Sequence, residues 1–188
     1  MIEDLIRKNR SYRRFYQDKQ IEMETLRELV DLARLSPSGA NKQVLKYFLS
    51  NTKETNEKIF ATLGWAGYLK DWDGPEEGER PSAYIVMLKD KTLGSGMAHD
   101  EGISGQSILL GAAEKGLGGC FIFNINRKKL SEELKLDDNY EIALVIALGT
   151  PKEEVVLEEM GASGDVKYWR DENKVHHVPK RALEDIII

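Results

Sequence analysis

Between residues 9 and 15 the chain reads Asn-Arg-Ser-Tyr-Arg-Arg-Phe, which sets Arg10, Arg13 and Arg14 beside the hydroxyl of Ser11. Guanidinium groups make charge-assisted, bidentate hydrogen bonds to phosphate oxygens, and a neighbouring hydroxyl can complete such a cradle. The bland alternative is a solvated basic loop. The chain as a whole carries 27 Lys and Arg against 32 Asp and Glu, a net charge of -5, so the cluster is a local exception. A second segment, Ser36-Pro37-Ser38-Gly39-Ala40-Asn41-Lys42-Gln43, reads in part as a helix-stop loop. Asn41 and Gln43 nevertheless bring donors and acceptors that suit a planar ring with a polar edge. Near the end, Val178-Pro179-Lys180-Arg181 adds two more cations. Together the three segments point to a phosphorylated cofactor held by residues distant in sequence.

Other chemistries find no support. His176 and His177 are adjacent, so in a strand they face opposite ways, and His99 has no Cys or His at ligand spacing. A metal site is therefore not expected. Cys120, the only cysteine, sits in an apolar run and reads as a small buried hydrophobe; it excludes an internal disulfide and agrees with a reducing, cytoplasmic setting. No Gly-x-Ser-x-Gly elbow, Walker loop or dinucleotide fingerprint follows a strand. The acidic balance argues against nucleic-acid binding, and no window approaches the ~20 apolar residues of a membrane span. Acidic residues Glu3 and Asp4 stand where a signal peptide requires positive charge.

The elements that must position these residues are legible from periodicity. Residues 2–8 read as a short helix. Leu26, Leu29, Val30 and Ala33 mark a second helix, stopped by Pro37. Tyr47-Phe48-Leu49 reads as a strand and residues 55–63 as a helix. A long loop from Gly64 to Pro81 carries Trp65, Tyr68 and Trp72, and long loops inside compact domains are often functional. Residues 83–88 form a continuous apolar run, expected to be a buried strand. A long helix is expected over 97–115, with small residues Gly102, Gly105, Gly111 and Ala112 inviting another helix to approach. Gly116-Leu117-Gly118-Gly119 reads as its stop, residues 120–123 as a strand, and Asn126 as the cap of a helix over 127–135. Residues 142–148 form another core strand, ended by Gly149-Thr150-Pro151. Segments 166–169 and 175–178 suggest a small hairpin with a long loop. The 188 residues suit one domain, 1–188, with a real core. The closing Ile186-Ile187-Ile188 either packs on its own core or forms an arm for a second subunit.

Taken in order, these segments resemble the FMN-dependent nitroreductase superfamily over nearly the whole chain. Residues 9–15 are similar to its N-terminal Arg-Arg-Ser-x-Arg-x-Phe element, residues 36–43 to its Pro-Ser-x-x-Asn-x-Gln element, and the long helix with Cys120 after it to its central dimer helix and following strand. One departure is Asn9, where many relatives carry arginine.

The resemblance implies an α+β fold with a central, mainly antiparallel sheet flanked by helices, a C-terminal strand exchanged with the partner, and a homodimer with FMN at its interface. Carried over by position, Arg10, Ser11 and Arg13 would hold the phosphate and ribityl chain, with Lys180 and Arg181 finishing the phosphate site. Arg13 would also reach the pyrimidine edge of the flavin. Pro37, Ser38 and Asn41 would come from the other subunit, and the backbone of Ile122, Phe123 and Asn124 would meet the flavin near its reactive nitrogen. The implied activity is an oxidoreductase that takes hydride from NADH or NADPH and passes electrons to nitroaromatic or quinone-type small molecules by a ping-pong mechanism. The flavin would carry the chemistry, with no catalytic side chain. Trp65, Tyr68 and Trp72 would line the acceptor pocket or simply pack. Alternatives are an enone reductase, a dehalogenase or a flavin-degrading enzyme on the same fold, a non-catalytic FMN-binding protein, or a nucleotide-binding module without flavin.

Overall fold

The computed structural model of the chain describes residues 1–188. Its centre is a sheet in which every pairing is antiparallel. Strand β5, Tyr140–Pro151, is the spine. One edge of it pairs with β3, Ala83–Asp90, which in turn pairs with β2, Leu45–Ser50. It also pairs with β4, Gly118–Ile122, and, at its C-terminal end, with the short β1, Phe15–Tyr16. Neighbouring residues of β3 point to opposite faces, and both faces are covered, which explains the unbroken apolar run. Ala83, Ile85 and Met87 join Leu144, Ile146 and Leu148 under two helices, α2 (Met23–Leu35) and α4 (Asp100–Glu114), through Leu26, Leu29, Ala33, Ile108 and Ala112. On the opposite face, Tyr84, Val86 and Leu88 join Cys120, Ile122 and Val145 under α3 (Lys53–Phe60) and α5 (Arg127–Leu134), through Ile59 and Leu130. The result is the expected α+β arrangement of three layers. The N-terminal helix α1, Ile2–Lys8, lies beside α4 and buries none of its residues.

Several elements differ in detail from expectation. The segment Gly149-Thr150-Pro151 does not end β5, because Thr150 and Pro151 pair with Tyr16 and Phe15 and the bare α-carbon of Gly149 leaves room for the Phe15 ring. Helix α4 starts at Asp100, not at residue 97; His99 precedes it with φ of 84°, which breaks the helical path. Two of its small residues serve the chain's own packing. Gly111 admits Leu29 and Leu32 of α2, and Gly105 admits the ring of Phe121. Gly102 faces open space.

A second sheet, unforeseen in part, forms near the C-terminus. Strand β6, Val155–Glu159, lies parallel to β8, His176–Lys180, and β7, Trp169–Arg170, completes the expected hairpin on the other side of β8. Residues 166–168 stay outside the hairpin, where Asp165 accepts from the Lys167 amide in a turn. Beyond β8 the chain makes one short 3-10 turn, Leu183–Asp185, and Ile186, Ile187 and Ile188 are exposed. No helix is long and apolar enough to cross a membrane.

One ion pair ties the long loop to the sheet edge. Arg14 donates to both oxygens of Glu79, at 2.5 and 2.6 Å, and Lys152 approaches at 3.0 Å. The Arg14 hydrogen bonds, followed by that of Lys152, hold the Glu79 carboxyl down to about 2 from an ordinary 4.5, against the upward pull of partial burial. Since the folded value lies below the unfolded one, the stabilisation is complete above pH 4.5 and is lost as pH falls through about 2. Glu79→Gln should cost about 2 kcal/mol at neutral pH. Urea midpoints measured down through that window should be flatter for the variant than for the parent.

Candidate active site

The N-terminal basic segment is laced onto the outer edge of the sheet. Ser11 bridges to Gly119 of β4, and the Tyr12 amide donates to the Gly119 carbonyl at 3.1 Å. A side chain at 119 would collide with the backbone oxygen of Ala147, so the close approach of β4 to β5 at this point requires glycine. Glu153, just after β5, has a fully buried carboxylate. One of its oxygens accepts from the backbone amides of both Arg13 and Arg14; the other accepts from Arg170 Nη2 at 3.0 Å. Phe15 then enters β1, its amide donating to the Glu79 carbonyl at 2.9 Å. The cluster is thus fixed at its backbone, and the arginines take different roles.

Arg14 is a structural cation. It is buried in the pair with Glu79 and is spent there. Arg10 and Arg13 have no carboxylate within ion-pair distance of their side chains, unlike Arg7, Arg14, Arg34, Arg80 and Arg170. Arg10 is half-buried; its Nη2 donates to the Ile6 carbonyl at 2.7 Å, while its buried Nε has no partner. Burial lowers its pKa, a sign that the cation is desolvated without compensation. With Asn9, Ser11, Gln106 and Phe121 it lines a hollow of about 150 Å³. An anion seated there would receive the orphaned donor and restore the charge balance. The donor set therefore fits a phosphate group.

A second hollow of about 130 Å³ also has Phe121 in its wall. Arg13, Trp65, Ile122, Phe123, Asn124 and Tyr168 surround it. Arg13 Nη1 donates to the Ser11 carbonyl at 3.0 Å and lies 3.3 Å from His176 Nε2, while its guanidinium carbon sits 5.0 Å from the centre of the Tyr168 ring. Arginine can only donate, so His176 Nε2 accepts and the ring proton sits on Nδ1. Burial first, and then Arg13, Arg170 and His177, pull the His176 pKa down to about 4, which keeps the ring neutral. On the far wall the Gly64 amide donates to the Asn124 carbonyl at 2.8 Å, and the missing side chain of Gly64 is what lets Asn124 come so near. The Phe123 side chain is 61% exposed and meets Phe121 edge-on at 6.3 Å. A wider groove of about 560 Å³, bounded by Phe121, Phe123, His99, Glu101 and Arg127, adjoins the same two rings.

The structure therefore brings Arg10, Ser11, Arg13, Ile122, Phe123 and Asn124 around Phe121. It does not bring Pro37, Ser38 or Asn41 to these hollows within one chain. That segment is fastened to the start of α4, where Ser38 Oγ and the Gly39 amide donate to Asp100 at 3.0 and 2.9 Å. Lys180 and Arg181 stand exposed at the end of β8 and line neither hollow. Of the three loop aromatics, Trp65 lines the Arg13 hollow and Tyr68 packs at a tilt against Tyr168, with ring centres 4.9 Å apart. Trp72 instead packs against the core, with Arg170 4.6 Å above its ring. Burial pushes the Cys120 thiol up to about 12, so it borders the hollow as an inert hydrophobe. Sequence reasoning missed Glu153, Tyr168 and His176 as parts of the site. Glu153 had no motif around it, and the other two are placed by the hairpin connection, which has no local signal.

Removing the buried carboxylate with Glu153→Ala should cost about 3 kcal/mol in urea unfolding, since Arg170 and two amides lose their acceptor. Stability should also fall by about 2 kcal/mol as pH drops from 6.5 toward 4, because the unfolded chain takes up a proton there that the folded His176 refuses. His176→Gln should abolish that slope.

Comparison with known proteins agrees with this architecture. The model of the nitroreductase family matches residues 6–68 and 79–150. A protein from Archaeoglobus fulgidus, named as an NADH dehydrogenase/NAD(P)H nitroreductase, is 27% identical over 149 residues, covering 75% of this chain and 80% of its own. Among solved structures, an FMN-dependent nitroreductase from Clostridium difficile R20291 is 26% identical with a TM-score of 0.65, covering 82% of this chain and 89% of that one. A nitroreductase family protein from Streptococcus pneumoniae TIGR4 superposes over 100% of this chain and 99% of that one with a TM-score of 0.69; at 16% identity it speaks for the fold alone. With more than half of its residues matched by that model and the three-layer antiparallel architecture in place, the chain belongs to the nitroreductase family.

Proposed function

We propose that this chain is an NAD(P)H-dependent oxidoreductase that uses FMN and reduces nitroaromatic or quinone-type acceptors. The observation that carries the reading is the half-buried Arg10, with an orphaned Nε and no carboxylate, beside Ser11 and one aromatic ring away from the Arg13 hollow. The names of the Archaeoglobus and Clostridium relatives support it.

When bound, FMN supplies the two-electron acceptor and donor chemistry that no side chain here possesses. The chain's own residues bind and orient. Arg10 and Ser11 hold the phosphate through charge-assisted hydrogen bonds. Arg13, steadied by His176, the Ser11 carbonyl and Tyr168, brings a fixed positive charge to the second hollow, where negative charge on a reduced ring would be stabilised. Trp65 and Tyr168 give that hollow flat apolar walls, which exclude water and suit planar acceptors. We further propose that a second copy of the chain completes the site with its own Pro37–Asn41 segment, that Lys180 and Arg181 close over the phosphate, and that the exposed terminal isoleucines exchange between copies. The single buried cysteine suits a cytoplasmic enzyme of one domain.

The test is the visible absorption of purified protein reconstituted with FMN. The expected result is a flavin spectrum that bleaches with NADH or NADPH under anaerobic conditions and returns on addition of a quinone or nitroaromatic. A folded sample that takes up no FMN would overturn the cofactor assignment, and bound flavin that never turns over would leave a binding protein without activity. Arg10→Ala should weaken FMN by about 10- to 100-fold, the worth of one hydrogen bond to a charged group, with little change in urea stability.

A further inference from the structure

Away from the Arg13 and Arg10 hollows, another cavity of about 130 Å³ opens between α3, the loop holding Gln17 and Gln20, and residues 80–84 at the start of β3. It shares no lining residue with either of them. Three of its lining side chains carry buried polar atoms without a partner: Arg80 Nε, Ser82 Oγ and Tyr84 Oη. Tyr84 is 1% exposed and Ser82 5%. Unpaired buried hydroxyls are costly, so a cluster of them around one hollow calls for an occupant.

Several neighbouring polar groups are already engaged elsewhere. Asn56 Nδ2 donates to the Ser82 carbonyl at 2.8 Å, and its Oδ1 accepts from Ser50 at 2.7 Å. Asn51 donates to the Ile21 carbonyl at 3.0 Å, and the Gln17 carbonyl oxygen accepts from the amides of Gly78 and Arg80. The Arg80 guanidinium carbon sits over the Phe60 ring, 4.3 Å from its centre, and the side chain reaches Glu77 only at 3.7 Å. Lys53, also on the wall, offsets Glu57 at 3.8 Å.

The chemistry of the unsatisfied set defines the ligand. Arg80 Nε can only donate, and the hydroxyls of Ser82 and Tyr84 can each donate as well. Burial raises the Tyr84 phenol well above its usual range, so it keeps its proton. We propose that this cavity binds a small oxyanion, a carboxylate or phosphate group, that accepts from Arg80, Ser82 and Tyr84 at once. Its volume is roughly that of four water molecules, which suits an anion of four or five heavy atoms. The site is independent of the flavin assignment.

The test is isothermal titration of FMN-saturated protein with inorganic phosphate and, separately, with acetate, at constant ionic strength in chloride. Saturating FMN keeps Arg10 occupied; should the protein take up no FMN, the Arg10→Ala variant serves as the background instead. Saturable binding of one of these anions, with a rise in thermal midpoint, is expected. Tyr84→Phe and Ser82→Ala should each weaken binding at least tenfold. Without the anion, Tyr84→Phe should be as stable as the parent or more so, since it deletes an unpaired hydroxyl. Should Tyr84→Phe not fold, Ser82→Ala alone decides. Two results would overturn the proposal. One is the absence of saturable binding by either anion, or binding that both variants leave unchanged. The other is a Tyr84→Phe variant destabilised equally with and without anion, the behaviour expected of water bridging these hydroxyls.

Discussion

The site depends on one buried carboxylate. Glu153 leaves the end of the longest strand and grips the amides of Arg13 and Arg14 on one side and the Arg170 guanidinium on the other. A fully buried carboxylate needs several donors to offset its lost hydration, and here the donors come from the N-terminal segment and the C-terminal hairpin. The same contact that satisfies the charge therefore joins two parts of the chain far apart in sequence. Held in this way, Ser11 meets the edge of β4 at Gly119, and Arg10 and Arg13 each line a hollow that Phe121 also borders.

A division of labour among the arginines follows. Arg14 and Arg170 are matched by Glu79 and Glu153 and hold the framework. Arg10 and Arg13 stand partly buried without a carboxylate, a state that costs stability unless an anion or a polar ligand arrives. His176 contributes by staying neutral: a protonated ring would repel Arg13, while the neutral ring accepts its hydrogen bond. Stability is thus given up locally at the unpaired arginines and recovered at the neighbouring ion pairs.

The parts of this arrangement that sequence reveals are those written in local patterns. The unbroken apolar run of β3 announced a strand covered on both faces, Asn126 announced the cap it makes to Lys129, and the spacing of Leu26, Leu29 and Ala33 announced the buried stripe of α2. The arginine cluster was visible for the same reason. Its partners were not, because an ion pair such as Arg14–Glu79 is made in three dimensions and leaves no periodic trace. Composition and spacing made the three arginines look equivalent; the family resemblance set Arg14 apart, and its pairing with Glu79 gives the physical reason. The parallel pairing of β6 with β8 was hidden too, since it joins segments separated by an irregular loop. The small residues of α4 read as room for another helix to approach, and Gly111 admits Leu29 and Leu32 of α2 in that way, while Gly105 instead admits the ring of Phe121.

The central claim is that Arg10 is left without a carboxylate so that it can take a phosphate. Its most direct test compares the affinity of the protein for FMN with that for riboflavin, which lacks only the phosphate, in the parent and in Arg10→Ala. The account predicts that the parent binds FMN at least tenfold more tightly and that the substitution removes most of this preference while leaving riboflavin affinity unchanged. Equal affinity of the parent for the two flavins, or a preference that survives loss of Arg10, would contradict it.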